Sequence, residues 1–242
     1  MNRLPVILAA LLVLLAGCSS AVPVQNASAG DGEPQNTITV GAAGQVTAAP
    51  DLAIVNVAVE HTADTAEAAR EGAATDANRM RAALRDAGIP DDAVTTSGFS
   101  LHVQYDYSRE TREVIGYQAV HSYRIEVTPD RAGEVIDLAV GNGATSVYGV
   151  QFGLSEERQQ ELRAEALSTA MENARSDADT IADAAGVGIV GVSAVSTSNA
   201  PVYTPSPVFA EARAADAAGA PTQIEAGDVT VRATVQVTYE TN

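Results

Sequence analysis

Residues 94–128 constrain this chain more than any other stretch. Phe99, Leu101, Val103, Tyr105 and Tyr107 alternate there with Ser100, His102, Gln104 and Asp106. After a charged break, Tyr117, Ala119, His121, Tyr123, Ile125 and Val127 alternate with Gln118, Val120, Ser122, Arg124 and Glu126. Alternation with period two places each set on one face of a pleated strand. The break at 108–113 is short and polar, so the two strands fold back as a long antiparallel hairpin.

The flanking segments can be read in the same way. Residues 36–48 form a strand with a glycine-rich irregularity at 41–44, read as a bulge. Residues 52–60 alternate and are β-branched, a second strand. Asp64 and Glu67 resemble a capping box, and Ala66, Ala69, Ala73, Ala77, Met80, Leu84 and Ala87 form one narrow apolar helical face. Gly88, Ile89 and Pro90 end that helix. A short helix covers 131–140 and a strand 145–154. Ser155 caps the longest helix, with the stripe Leu162, Ala166, Ala170, Ala174, Ala178, Ile181 and Ala185. Gly186 ends it, and a buried strand follows at 187–196. Residues 199–222 read as a long structureless loop, a form that is uncommon in compact domains and often functional. Residues 223–240 close the chain as a strand. The order ββαββαβαββ makes the fold α+β, with largely antiparallel sheets packed on two long helices and one short one.

The 31 acidic residues outnumber the 14 basic ones, and every basic residue is Arg. Two readings stand side by side. One is an acidic protein of a high-GC genome. The other is adaptation to concentrated salt, where the Debye length shrinks to about 3 Å at 1 M and carboxylate repulsion is screened. Nucleic acid is excluded as a partner under either reading, because phosphate binding needs clustered basic residues.

Arg3 and the apolar run 4–16 form a leader too short to span a bilayer, which takes ~20 residues. It ends in Leu15, Ala16, Gly17 and Cys18, which resembles a prokaryotic lipobox with Cys18 as the lipid-bearing residue. The competing reading is an ordinary secretory leader with an incidental Cys. The expected organisation is a lipoprotein signal peptide at 1–18, a flexible tether at 19–35 and the folded domain at 36–242. The expected partner at Cys18 is therefore the membrane, and no thiol remains for a disulfide, a nucleophile or a metal site.

Candidate chemistry is sparse. His61, His102 and His121 lack partners at metal or catalytic spacing, and His121 falls on an apolar strand face as a satisfied core or interface residue. Residues 186–191 match GxGxxG, but a helix precedes them and a strand follows, the reverse of a dinucleotide site. Asp91, Asp92, Asp177, Asp179 and Asp183 read as solvated surface. No catalytic residue, cofactor or metal is expected. Tyr105, Tyr107, Tyr117 and Tyr123, four of the seven tyrosines, lie in the hairpin. They form either an association surface or cross-strand packing within the monomer, and both readings stay open.

Several separated stretches resemble the SIMPL domain family, in its order. They are residues 46–53, 88–92, 96–100, 104–107 and 116–119, and later 152–155, 163–167 and 226–229. The resemblance spans about 36–239. It implies an α+β domain in a periplasmic, surface or outer-membrane protein, often lipidated and inclined to form homo-oligomers. Bacterial members are loosely linked to envelope or oxidative stress. It brings no established catalytic residues. Lys-free acidity is a departure from the family's pattern and marks a salt-adapted member, expected to come from a halophilic archaeon. The expected function is a non-enzymatic, lipid-anchored extracytoplasmic protein that self-associates or binds envelope partners. The alternative is a small-ligand or cation-binding surface protein with 199–222 as its lid.

Overall fold

Pro50 and Asp51 turn the chain between two strands that join different sheets. The computed structural model describes residues 36–106, 113–197, 202–205 and 221–242. In these, the elements are β1 (Thr37–Ala48), β2 (Leu52–Ala63), α1 (Ala66–Asp86), β3 (Val94–Asp106), β4 (Glu113–Val127), α2 (Ala132–Gly141), β5 (Ser146–Gly153), α3 (Glu156–Ala185), β6 (Ile189–Thr197), β7 (Val202–Pro205) and β8 (Val229–Thr241). The expected order holds, with the short β7 added before the last strand.

One sheet runs β1-β8-β6, with β7 also paired to β8; the other runs β3-β4-β2-β5. Every pairing is antiparallel. β6 pairs with 235–241 of β8 and β7 with 229–232, so they lie end to end along one side of it. The segment 199–222 is thus not structureless throughout: β7 sits inside it. Residues 198–201 and 206–220 lie outside the described residues.

The two sheets bury their faces under different helices. In the β3-β4-β2-β5 sheet, Val55, Val57 and Val59 of β2 pack with Tyr123 and Ile125 of β4 beneath Ala77, Met80 and Leu84 of α1 and Val135 of α2. Full burial of each valine contributes roughly 1.5–3 kcal/mol. Farther along α1, Ala69 and Ala73 meet Ala119. In the other sheet, Val235, Val237 and Tyr239 of β8 pack under Ala170, Ala174 and Ala178 of α3. Alanine on both helices lets each backbone sit close to its sheet. The span Thr37–Asn242 forms one compact unit.

Four local expectations are corrected. β1 has no bulge: its register with β8 is unbroken from Thr37 to Ala48. Gly44 instead lies against the backbone of α3, where a Cβ would run into the Ala166 carbonyl and the Ala170 amide. Helix α1 is capped by Thr65, not Asp64; the Thr65 hydroxyl accepts from the Ala68 amide. The stripe of α3 continues to Ala182, which is buried, while Ile181 is 45% exposed. β6 is largely exposed, because it lies on an edge that α3 does not cover. Ser155 does cap α3, accepting from the Arg158 amide, and Gly186 ends it in the left-handed region at φ 70°.

Candidate functional site

The hairpin of β3 and β4 builds the candidate surface. Register places Phe99 opposite His121, Leu101 opposite Ala119 and Val103 opposite Tyr117. Directly opposite residues point to the same face. Ala119 and Tyr123 are buried against helices, so Phe99, Leu101 and Val103 stand on the helix-packed face of the sheet. They are nonetheless 53%, 41% and 38% exposed. Helix α1 lies over β4 and β2, and β3 extends past it as the edge strand. A strand whose inward row has no helix above it presents an apolar stripe to solvent.

Two register shifts set the limits of this stripe. One falls between Thr96 and Gly98, the other between Gln104 and Tyr105. Before the first shift the even residues point inward: Val94, opposite Ile125, is buried. After it the odd residues do. The shift therefore divides β3 into a short segment tied to the core and a longer one, 98–104, whose apolar row is uncovered.

The stripe has an aromatic margin. The rings of Phe99 and His121 meet edge to face at 5.5 Å, and His121 lies 4.5 Å from the Tyr123 ring. The Tyr123 hydroxyl is 2.9 Å from His121 Nδ1. Burial, then the charge of Arg81, holds the His121 imidazole below its ordinary pKa, which keeps it neutral at pH 7. Burial raises the Tyr123 hydroxyl above its ordinary value, only partly offset by Arg81 and by a hydrogen bond with Thr96.

The four hairpin tyrosines do not act as one set. Tyr123 is 2% exposed and belongs to the monomer core. Tyr117 is half-buried on the alanine face of α1, beside Ala63. Tyr105 stands opposite Val114 at the distal end of the hairpin. Tyr107 lies outside the described residues, as does Cys18. The row Phe99, Leu101 and Val103 was legible as alternation, but its exposure was not, because exposure depends on where a distant helix lies.

The opposite face of the same sheet carries a polar chain that sequence reasoning missed. Gln104 Nε2 donates to Gln118 Oε1 at 2.7 Å, and Gln118 Nε2 donates to Glu60 Oε2 at 2.9 Å. Ser146 donates to Glu60 Oε1 at 2.8 Å. These residues belong to β3, β4, β2 and β5, so one hydrogen-bonded line crosses all four strands. Interlocking side chains of this kind fix register, the property most easily lost in a long hairpin.

Other polar groups pair locally. His61 Nδ1 lies 3.1 Å from Asp76 Oδ2, and Arg79 bridges the second oxygen of Asp76 at 2.9 Å. Arg85 pairs with Asp91 at 3.1 Å, and Arg175 with Asp179 at 3.0 Å. His102 is exposed on β3. Among the described residues no cluster of three or more His, Cys, Asp or Glu could hold a metal ion. A cavity of about 500 Å³ opens beside α2, lined by Asp130, Glu134, Asp137 and Thr222 among others. Thr222 closes one side of it: its amide and hydroxyl donate to the Asp137 carboxylate at 3.1 and 2.6 Å. Among the described residues, no helix is long and apolar enough to cross a membrane.

The 26 kDa periplasmic immunogenic proteins of Brucella melitensis and Brucella abortus are each 29% identical to the chain over 212 residues, covering 84% of both sequences. The family model described as "SIMPL: Protein of unknown function (DUF541)" matches residues 38–239, from the second residue of β1 to near the end of β8. The chain therefore belongs to the SIMPL family.

Proposed function

We propose that this is a non-enzymatic extracytoplasmic protein, held to a membrane through lipid on Cys18, that self-associates or binds envelope partners through the β3–β4 hairpin. One observation carries the reading: Phe99, Leu101 and Val103 lie on the core-facing side of their sheet with no helix above them. Apolar side chains in that position lower their free energy only by meeting another surface. The periplasmic relatives support the location, and the sequence pattern at 3–18 supports the anchor. The association surface is this apolar row with Tyr105 and Tyr117, and Tyr123 acts from beneath as core. The link of bacterial members to envelope or oxidative stress gives the physiological setting in which a deletion strain is to be challenged.

Sedimentation velocity tests the association. A chain of residues 19–242 forms dimers or larger assemblies in 1 M KCl, and Leu101→Ser with Val103→Ser gives monomer. A wild-type chain that sediments as monomer at every concentration contradicts the reading. Anchoring is tested separately: Cys18→Ser moves the protein from the membrane fraction to the soluble one, and an unchanged membrane fraction contradicts a lipid on Cys18.

A second reading is a small-ligand or cation site; the cavity beside α2 favours its small-ligand form, since no cluster of three or more His, Cys, Asp or Glu among the described residues could hold a metal ion. Calorimetry with calcium or magnesium tests the cation form: saturable heat supports it, and no heat removes it.

A further inference from the structure

We infer that the trough between helix α1 and the uncovered row of β3 binds a free single-chain anionic amphiphile, its carboxylate on Arg81 and its acyl chain along Phe99, Leu101 and Val103. This rests on the reading above that the row is a contact surface, and it names an occupant other than a second copy.

One side of α1 forms the wall of the trough. The charge of Arg81 acts on His121 and Tyr123 of β4, and its guanidinium lies 3.7 Å from Asp91, just before β3. That side of the helix therefore faces β3. Arg70 and Ala74 precede Arg81 by close to three and two full turns, so they share it. Ala74 leaves a gap between the two arginines. The two walls also run in step. Ala69 and Ala73 meet Ala119, which stands opposite Leu101, while Arg81 lies near Tyr123, which stands opposite Thr96. The cation thus sits at one end of the apolar row, beside Phe99.

Arg81 is the uncommitted cation of this wall. Arg70 donates to Glu71 at 3.3 Å, and Arg85 donates twice to Asp91, at 3.3 and 3.1 Å. Arg81 makes no hydrogen bond among the described residues. Its 3.7 Å approach to Asp91 is too long for one, and its Nε is buried without a partner. Folded proteins seldom leave a buried donor unpaired, because the desolvation cost is not recovered. The side chain as a whole is 37% exposed, so the guanidinium is within reach of a ligand. A carboxylate there accepts charge-assisted hydrogen bonds in the fork geometry that guanidinium offers.

Charge and length select the ligand. The chain carries a net charge of −17, which repels anions from most of its surface. The trough differs: residues 94–104 contain no Asp, Glu or Arg, and α1 supplies Arg70 and Arg81. A single negative charge matches one uncommitted guanidinium. From Phe99 to Val103 the row runs about 13 Å at ~3.3 Å per residue, roughly the length of a ten-carbon chain. An apolar lining with one oriented polar group at its end is the usual build of a site for such a molecule.

Calorimetry of residues 19–242, which include the whole compact unit Thr37–Asn242, tests this with three probes. They are decanoate, decyl maltoside (a neutral head on the same tail) and acetate. Decanoate is expected to bind at one site per chain, about tenfold or more tighter than decyl maltoside, and acetate is expected not to bind. Arg81→Gln should weaken decanoate about tenfold, and Arg81→Lys should recover part of that loss. Leu101→Ser with Val103→Ser, whose side chains are not core, should abolish decanoate binding, and it reports the site even if Arg81→Gln fails to fold. Overturning results are no saturable decanoate heat, equal affinity for the two heads, or a folded Arg81→Gln that binds decanoate as the wild type does. Sedimentation of the same samples separates this from self-association. An assembled wild type without decanoate heat overturns the ligand alone, and a monomer that binds decanoate overturns self-association alone.

Discussion

Phe99 meets His121 edge to face across the β3–β4 pair, 5.5 Å between centroids and 88° between planes, at the border between the covered and uncovered parts of one sheet. The contact places a titratable ring at the root of the apolar stripe. The sign of its effect follows from burial and the Arg81 charge, which lower the His121 pKa in the fold. The unfolded chain takes up that proton first, near the ordinary value of ~6.5. The stability held by neutral His121 is therefore full above that value and falls as pH drops through it toward the lower folded value. Melting temperature measured from pH 7.5 to 5 is expected to decline less in His121→Gln than in the wild type. Parallel profiles contradict the assignment.

Gly44→Ala tests the contact between β1 and α3. The added methyl meets the Ala166 carbonyl and the Ala170 amide, which are backbone atoms and cannot rotate away. Helix α3 must lift from its sheet, an overpacking cost of about 2–3 kcal/mol. Thermal melting should fall by roughly 5–10 °C. A change below 2 °C means that α3 does not lie so close. Gly41→Ala is the control, since nothing lies near its added Cβ.

Asp51 ties the β1–β2 turn to the start of α3. Its carboxylate accepts from the Ser155 amide at 2.7 Å and the Ser155 hydroxyl at 2.5 Å. Partial burial pushes its pKa up, but the Ser155 hydrogen bonds and the Arg158 charge outweigh that, leaving it below the ordinary carboxylate value. The clamp's contribution is present above the unfolded pKa of ~3.9 and is lost as pH falls through the lower folded value. Asp51→Ala should destabilise by about 0.5–1 kcal/mol at pH 7, a solvent-screened figure. The difference from wild type should shrink below pH 4. A difference that persists at pH 2.5 would point to packing instead of charge.

How much of this could be read from sequence depended on how local the cause was. The hairpin, the helices and their glycine stops follow from periodicity and caps within a few residues. Gly44 was misread because a glycine in a strand can serve a bulge or a close approach, and the helix that needs the space lies over a hundred residues later. β6 looked buried because Ile189, Val190, Val192 and Val195 are apolar; only the fold shows that Ile189 alone of these packs under α3, while Val190, Val192 and Val195 are exposed on an edge strand. Tyr123 and Tyr105 looked equivalent in the alternation, and their separation into core and hairpin end depends on where α1 crosses β4. The Gln104–Gln118–Glu60–Ser146 line depends on strand order β3-β4-β2-β5, which joins residues that are distant in the chain.

Salt dependence separates the two readings of the acidic composition. Thirty-one carboxylates against 14 arginines repel across the folded surface, and salt screens them. A salt-adapted chain melts at least 10 °C higher in 2 M KCl than in 20 mM KCl. An unchanged melt favours genome composition as the cause of the acidity.

The central claim is that the uncovered β3 row joins this protein to another surface, most simply its own copy. The most direct measurement is sedimentation velocity of residues 19–242 in 1 M KCl, wild type beside Leu101→Ser with Val103→Ser, with melts of both. The account predicts an assembled wild type, a monomeric variant and melts of monomer within about 2 °C, since neither side chain is core. A monomeric wild type, or a variant that assembles equally well, contradicts it.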